Sequence, residues 1–228
     1  MTVCDGIAEE YEKNFGVGMS VVLNAPAYCE LAPRAITSSD VIRLVHHGAA
    51  LPGRYLENMI EMADLLDDRF TLDLVLVPSV PKYYQHLRKR VERCDRVRLL
   101  KPVPMLELPE FLNQYDMGVY LLEPTNINNR LSLPNKFFEF VQARLALAIG
   151  PSPEMAKLVG KYNLGVVSPT FAPADLAKAI NGLTSSQVYA FKCSANSAAE
   201  QLSFGAGATL ITSLIEAVSY THLTLPTI

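Results

Sequence analysis

Residues 130–155 read RLSLPNKFFEFVQARLALAIGPSPEM. Proline is tolerated in the first turn of a helix but not in its interior, so this pattern predicts a helix opening just after Pro134. Phe137, Phe138, Phe140 and Val141 form its core face, and Lys136 and Glu139, three apart, are neighbours on it. On an arbitrary helix such a pair is a surface contact worth roughly 0.2–0.5 kcal/mol. The sequel changes its weight: ALAIG (146–150) is a short buried-strand pattern ending in glycine, and PSPEM restarts a helix at once. The segment therefore reads helix, strand, turn, helix, and the turn falls at the carboxyl end of a strand, where open α/β sheets place their ligands.

The same alternation extends in both directions. VIRLVHHG (41–48), LDLVLVP (72–78), RVRLLKP (96–102), MGVYLLEP (117–124) and LGVVS (164–168) read as strands. Between them RYLENMIEMADLL, KYYQHLRKRVER, LPEFLNQY and PEMAKLVGKY carry apolar residues at helical spacing, and APADLAKAINGLT and SANSAAEQLSF continue the pattern. The apolar strands lack a period of two, as expected of strands buried on both sides. The expected fold is an α/β, Rossmann-like parallel sheet with helices on both faces. An initial strand, SVVLNAP (20–26), is set apart from these units by NAPAYCELAPRAITSSD, rich in proline and small polar residues.

Composition excludes several classes of function. The 228 residues are half hydrophobic and carry a formal net charge of -3, so the chain can bury a substantial core. A sequence pI near 5.8 and the mixing of acids with bases argue against a nucleic-acid surface. The one basic run, HLRKRVERCDRVR, sits on a helix where its charges face water. Cys4, Cys29, Cys94 and Cys193 are far apart and lack metal-ligand spacing, so they are expected to stay reduced in a cytosol, and no metal site is expected. No run approaches a membrane span, and the N-terminus lacks the regions of a signal peptide. The expected location is cytoplasmic, with membrane association of a longer protein left open.

Both ends read as cut. The tail VSYTHLTLPTI (218–228) interrupts the helix-like GATLITSLIEA without a capping residue, and it resembles the in-frame translation of a transposon-type sequencing adapter. On that reading His222 is no catalytic candidate and the native sequence stops near Ala217. At the other end, MTVCDGIAEEYEKNFGVGMSVVLNAPAY resembles the junction between the two domains of GT-B glycosyltransferases, with Met1 an internal methionine or a misassigned start.

From residue 3 to about residue 216 the order of motifs resembles the C-terminal half of a glycosyltransferase of family 4, a two-domain GT-B fold. VHHGAALPGRYLENMIEMADLL is similar to the family's strand, glycine turn, basic residue and helix. VRLLKPVPMLELPEFLNQYDMGVYLLEP is similar to its base-binding loop and the unit after it, and LPNKFFEFVQARLALAIGPSPEM resembles the P-x-K-x-x-E-Y form of its donor-site motif. The resemblance implies a division into 1–26 (end of the acceptor domain), 27–205 (donor-binding domain), 206–217 (start of a closing helix) and the artefactual tail. It also implies a nucleotide-diphosphate-sugar donor bound here as substrate, without a separate cofactor, and a glycan acceptor bound by a domain absent from this chain.

Residue by residue, the resemblance makes Gly48 the turn whose backbone approaches the diphosphate and Arg54 the basic residue that neutralises it as it leaves, the expected catalytic group. Glu139 accepts hydrogen bonds from the ribose hydroxyls, Pro134 and Asn135 open the helix whose free N–H groups face the diphosphate or sugar, and Lys136 points either there or to water. Lys101 and Pro102 fall where the family's backbone reads the nucleobase. His46 and His47 lie near the cleft, in core or supporting roles. Two positions depart from the family: Leu131 stands where many members carry a second glutamate, and Ala49 where an arginine often follows the glycine. A sugar-nucleotide epimerase of similar two-domain fold is one alternative to transfer, and the first departure adds another, a non-catalytic nucleotide-sugar-binding module.

Overall fold

The structure, a computed structural model, describes residues 1–37 and 41–224. Helix α1 (Asp5–Phe15) leads through an irregular segment to strand β1 (Ile42–Ala49), a 3-10 turn (Pro52–Arg54) and α2 (Glu57–Asp64). Then follow β2 (Phe70–Val77), α3 (Pro81–Val91), β3 (Val97–Leu100), α4 (Leu108–Asn113), β4 (Met117–Tyr120), α5 (Ile127–Arg130), α6 (Asn135–Gln142) and β5 (Ala146–Ile149). The chain continues with α7 (Pro153–Tyr162), β6 (Gly165–Val167), α8 (Pro173–Asn181), α9 (Ser185–Ala198) and α10 (Phe204–Thr224). Proline in the first turn opens α3, α7 and α8, where its missing N–H is not needed. A capping box, Thr184 with Gln187, starts α9 well before the SANSAAEQLSF stretch in which the sequence suggested a helix.

The six strands lie parallel in the order β3-β2-β1-β4-β5-β6. Parallel strands need crossovers, and these carry helices to both faces, so the strands are buried twice over. Ile42, Leu44, Phe70, Leu72, Leu74, Met117, Val119, Ala146 and Ala148 face the core shared with α2, α3 and α8. Val45, Val75, Tyr120, Leu147 and Ile149 face the other core, with α4, α6, α7 and the end of α9. The expected Rossmann-like sheet with helices on both faces is what forms. Strand order reverses between β1 and β4, so their carboxyl ends flank the crevice where such sheets bind ligands.

Helix α6 is held at three places. Beneath it, the Phe140 ring lies on Gly118 of β4, where a Cβ would come within 2.3 Å of the ring, so only glycine lets helix and strand approach this closely. At its start, Asn24 donates to Asn135 Oδ1 at 2.7 Å. At its end, the buried Gln142 accepts from Cys29 N at 3.0 Å and donates to Ala199 O at 2.6 Å, and Arg144, also buried and at φ 60°, donates to Cys29 O at 2.6 Å. The irregular segment after α1 is thus tied to both ends of one helix.

Three details differ from the sequence reading. SVVLNAP forms no strand: Val21 makes a single parallel bridge to Thr2, because Thr2 lies only two residues before the cap of α1 and leaves no length for a ladder. A short helix, α5, whose N-cap Asn126 accepts from Asn129 N, stands where the sequence gave no period to read. The backbone of α10 runs on through Thr224, into the adapter-like segment, whose residues 225–228 lie outside the described residues. No helix among the described residues is long and apolar enough to cross a membrane.

Candidate functional site

A cleft of about 420 Å³ opens at the switch point, lined by His47, Gly48, Ala49, Arg54, Met105, Pro134, Asn135, Lys136 and Glu139. The other concavities among the described residues carry no comparable set of convergent groups, so the chemistry singles out this one. Strand β1 supplies one wall. Its next-to-last residue, Gly48, has φ 135°, a conformation that side chains rarely adopt, and a Cβ there would stand 3.0 Å from Lys136 Nζ. The 3-10 turn after it presents Arg54.

The other wall is the start of α6. Pro134 is its N-cap, extended at φ -73° and ψ 149°, and no side chain caps the helix. Phe137 N is satisfied by Pro134 O at 2.9 Å, which leaves the N–H groups of Asn135 and Lys136 at the cleft with the positive end of the helix behind them. Lys136 and Glu139 project from one face, as their spacing requires, while Phe137, Phe138, Phe140 and Val141 are buried beneath.

The polar groups at the floor form a chain. His46 Nδ1 lies 2.8 Å from Val119 O. A carbonyl only accepts, so Nδ1 carries the ring proton and Nε2 is left as an acceptor. Lys136 Nζ stands 3.2 Å from that Nε2, donates to His47 O at 2.8 Å and lies 5.3 Å from the centre of the Tyr120 ring. Burial, and then the charge of Lys136, hold His46 well below the usual imidazole range. Burial, and then Arg54, lower Lys136 to about 7, with Glu139 opposing. Burial likewise raises Tyr120, against the pull of Arg54.

His47 faces the opposite side of β1 and packs edge-on against Phe140, ring centres 5.3 Å apart. Its Nε2 is 3.2 Å from Glu139 Oε2 yet lies off the line of a directed hydrogen bond, so this buried nitrogen has no satisfied partner. Neither Glu139 oxygen is drawn fully into the protein's own bonding, and the carboxylate keeps acceptor capacity for a ligand.

The sequence candidates therefore divide. Gly48, Arg54, Pro134, Asn135, Lys136 and Glu139 meet in one cleft. Lys101 is exposed one residue beyond β3 and does not line it; Met105, from the same connection, does. Ala49, which carries no charge, also lines the cleft. Leu131, the C-cap of α5, is buried at 8 % exposure; its carbonyl accepts from Cys4 Sγ at 3.3 Å and its side chain reaches Gly6, so it is a packing residue. The partnership of Lys136 with His46 was missed; its one sequence signal was a histidine pair just before the glycine that ends a strand.

No family model matches the chain, and no curated protein does. Solved structures do. TarM of S. aureus, solved with Fondaparinux, alpha-GlcNAc-glycerol and UDP, superposes with a TM-score of 0.72 at 13% identity over 93% of this chain and 43% of its own. Anabaena HepE, solved with UDP, gives 0.66 at 12% identity over 95% of this chain and 54% of its own. WaaG, a glycosyltransferase involved in lipopolysaccharide biosynthesis, gives 0.64 at 14% identity over 89% and 60%. These neighbours are GT-B glycosyltransferases, and the chain has their α/β, Rossmann-like fold over about half their length.

Proposed function

We propose that the chain is the donor-binding half of a retaining glycosyltransferase similar to family 4, moving a sugar from a nucleotide-diphosphate-sugar to a glycan acceptor held by another domain in the cytoplasm. The observation that carries this reading is the meeting, at the switch point, of a glycine turn, Arg54, an uncapped helix start and Glu139 within one cleft. Each matches a part of such a donor. The diphosphate faces Arg54 and the amides of Asn135 and Lys136, where positive charge and free N–H groups coincide. The ribose hydroxyls face Glu139, an acceptor when ionised.

The chemistry this supports is electrostatic. As the bond from sugar to diphosphate breaks, charge gathers on the leaving phosphate, and groups already aimed at it lower the barrier without rearranging. Positioning of the acceptor hydroxyl supplies the rest, so no nucleophile from this chain is needed. Leu131, packed away from the cleft, leaves the donor sugar to other groups.

Calorimetry with UDP and uridine tests the reading. Arg54→Ala is expected to weaken UDP roughly 10- to 100-fold, a charge-assisted contact of about 1.5–3 kcal/mol, and to leave uridine unchanged. Glu139→Ala is expected to weaken both. Equal affinities in both variants and the parent would overturn the assignment. Turnover with labelled donor then separates transfer from the alternatives: an epimerase converts the sugar without an acceptor, and a binding module converts nothing.

A further inference from the structure

Lys136 is placed unlike any other cation of the cleft. Its two nearest partners are neutral acceptors, the lone pair of His46 Nε2 at 3.2 Å and the carbonyl of His47 at 2.8 Å. The surrounding groups are Arg54 from the 3-10 turn, His46 and His47 from β1, Tyr120 from β4 and Glu139 from its own helix. Arg54 disfavours an ammonium more than Glu139 favours it. The amine is also drawn back beneath Gly48, whose missing Cβ leaves the space it occupies. A cation in such a setting has no carboxylate in contact, and its neutral amine is tolerated because its N–H groups can donate to His46 Nε2 and to the His47 carbonyl.

We propose, building on the nucleotide-sugar reading, that Lys136 is a proton-linked specificity residue: entry of a diphosphate ester into the cleft draws a proton from solvent onto its amine, and the resulting ammonium holds the phosphates. The geometry supplies what this needs. Lys136 lines the cleft with Gly48, Asn135 and Arg54, so an anion bound there brings the counter-charge that the amine's own contacts do not supply. No covalent bond changes; one solvent proton is added to Nζ. With Lys136 brought to about 7, a large part of the population is unprotonated in neutral buffer, so the linkage is measurable. Discrimination follows: a diphosphate pulls the proton on, whereas a nucleoside gives no reason for uptake.

The test is calorimetry of the chain with UDP-glucose, GDP-mannose and ADP-glucose at pH 7.5, in buffers of different ionisation enthalpy. The dependence of the observed heat on buffer enthalpy gives the protons exchanged. These esters carry no phosphate that titrates near neutrality, so the signal belongs to the protein. Uptake of about half a proton or more is expected for whichever donor binds. Lys136→Arg, which is charged throughout, is expected to bind with uptake near zero. Lys136→Met is expected to bind the diphosphate at least 10-fold more weakly, also without uptake, while its affinity for the free nucleoside is unchanged. Binding without proton uptake, or uptake that persists in Lys136→Arg and Lys136→Met through His46 or His47, overturns the inference and leaves the nucleotide-sugar reading standing. Failure of all three donors to bind overturns that reading, and the inference with it.

Discussion

At the amino end of the sheet, the fully buried Lys192 donates to Asp116 Oδ1 and to Tyr115 O, both at 2.9 Å, and the other Asp116 oxygen accepts from Arg43 N at 2.9 Å. Asp73, also buried, accepts from two nitrogens of Arg98 and from the Tyr115 hydroxyl. At the carboxyl end the accounts do not close in the same way: Lys136 leans on neutral acceptors, His46 is kept from charging, and His47 Nε2, though 3.2 Å from Glu139 Oε2, makes no directed hydrogen bond. Both ends bury titratable groups, but the Lys192–Asp116 and Arg98–Asp73 pairs join opposite charges, whereas Lys136 touches only neutral acceptors. Burial of an incompletely satisfied polar group costs free energy, and among the described residues that cost falls at this cleft, on His47 Nε2.

The comparison breaks first if the amino end is not the sturdier one. Lys192→Met leaves Asp116 buried without its counter-ion and is expected to cost about 3–5 kcal/mol in urea unfolding, with partial recovery when Asp116→Asn is added. A loss below ~1 kcal/mol would mean that the pair is no scaffold element. Gly118→Ala probes the seat of α6. The new methyl would meet the Phe140 ring, and displacement of that ring is expected to cost about 1–3 kcal/mol and to weaken nucleotide binding as Lys136 and Glu139 move with their helix. Unaltered binding at reduced stability would separate the seat from the site.

The smallest effect is the most particular to the cleft. Burial keeps His46 from taking up a proton until well below its usual range, whereas the unfolded chain takes one up near pH 6.5. Below that point the unfolded state binds more protons, so stability falls as pH falls, by up to about 1 kcal/mol between pH 6.5 and 5.5. His46→Asn, whose amide can still donate to Val119 O but cannot titrate, is expected to flatten this slope in thermal melts. An unchanged slope would assign the acid sensitivity to other groups.

How much of this was legible follows from the range of each signal. The strands and helices were written in local periods, and a hydrophobic run such as LDLVLV carries its own burial on both faces without reference to distant residues. Gly48, Arg54 and the start of α6 could be brought together because strand-end turns and helix starts are local features, and parallel topology gathers them at one edge. The contact of Lys136 with His46 spans ninety residues and depends on how far a side chain reaches across a strand end. Nothing local encodes that, nor that Lys101 stops short of the cleft while Met105 lines it. The buried role of Leu131 was hidden for the same reason, since its partners are Cys4, the N-cap of α1, and Gly6 in its first turn.

The mooring of α6 has a mechanical side. Eight residues make a strut about 12 Å long, and a strut this short does not bend. One end carries Asn135 and Lys136 at the cleft; the other carries Gln142, with Arg144 just beyond. The segment from Asn24 to Cys29 is bolted to both, through Asn135 at one end and through Gln142 and Arg144 at the other. A rigid bar cannot shift at one end alone, so a displacement of the cleft wall and a displacement of that segment are a single degree of freedom.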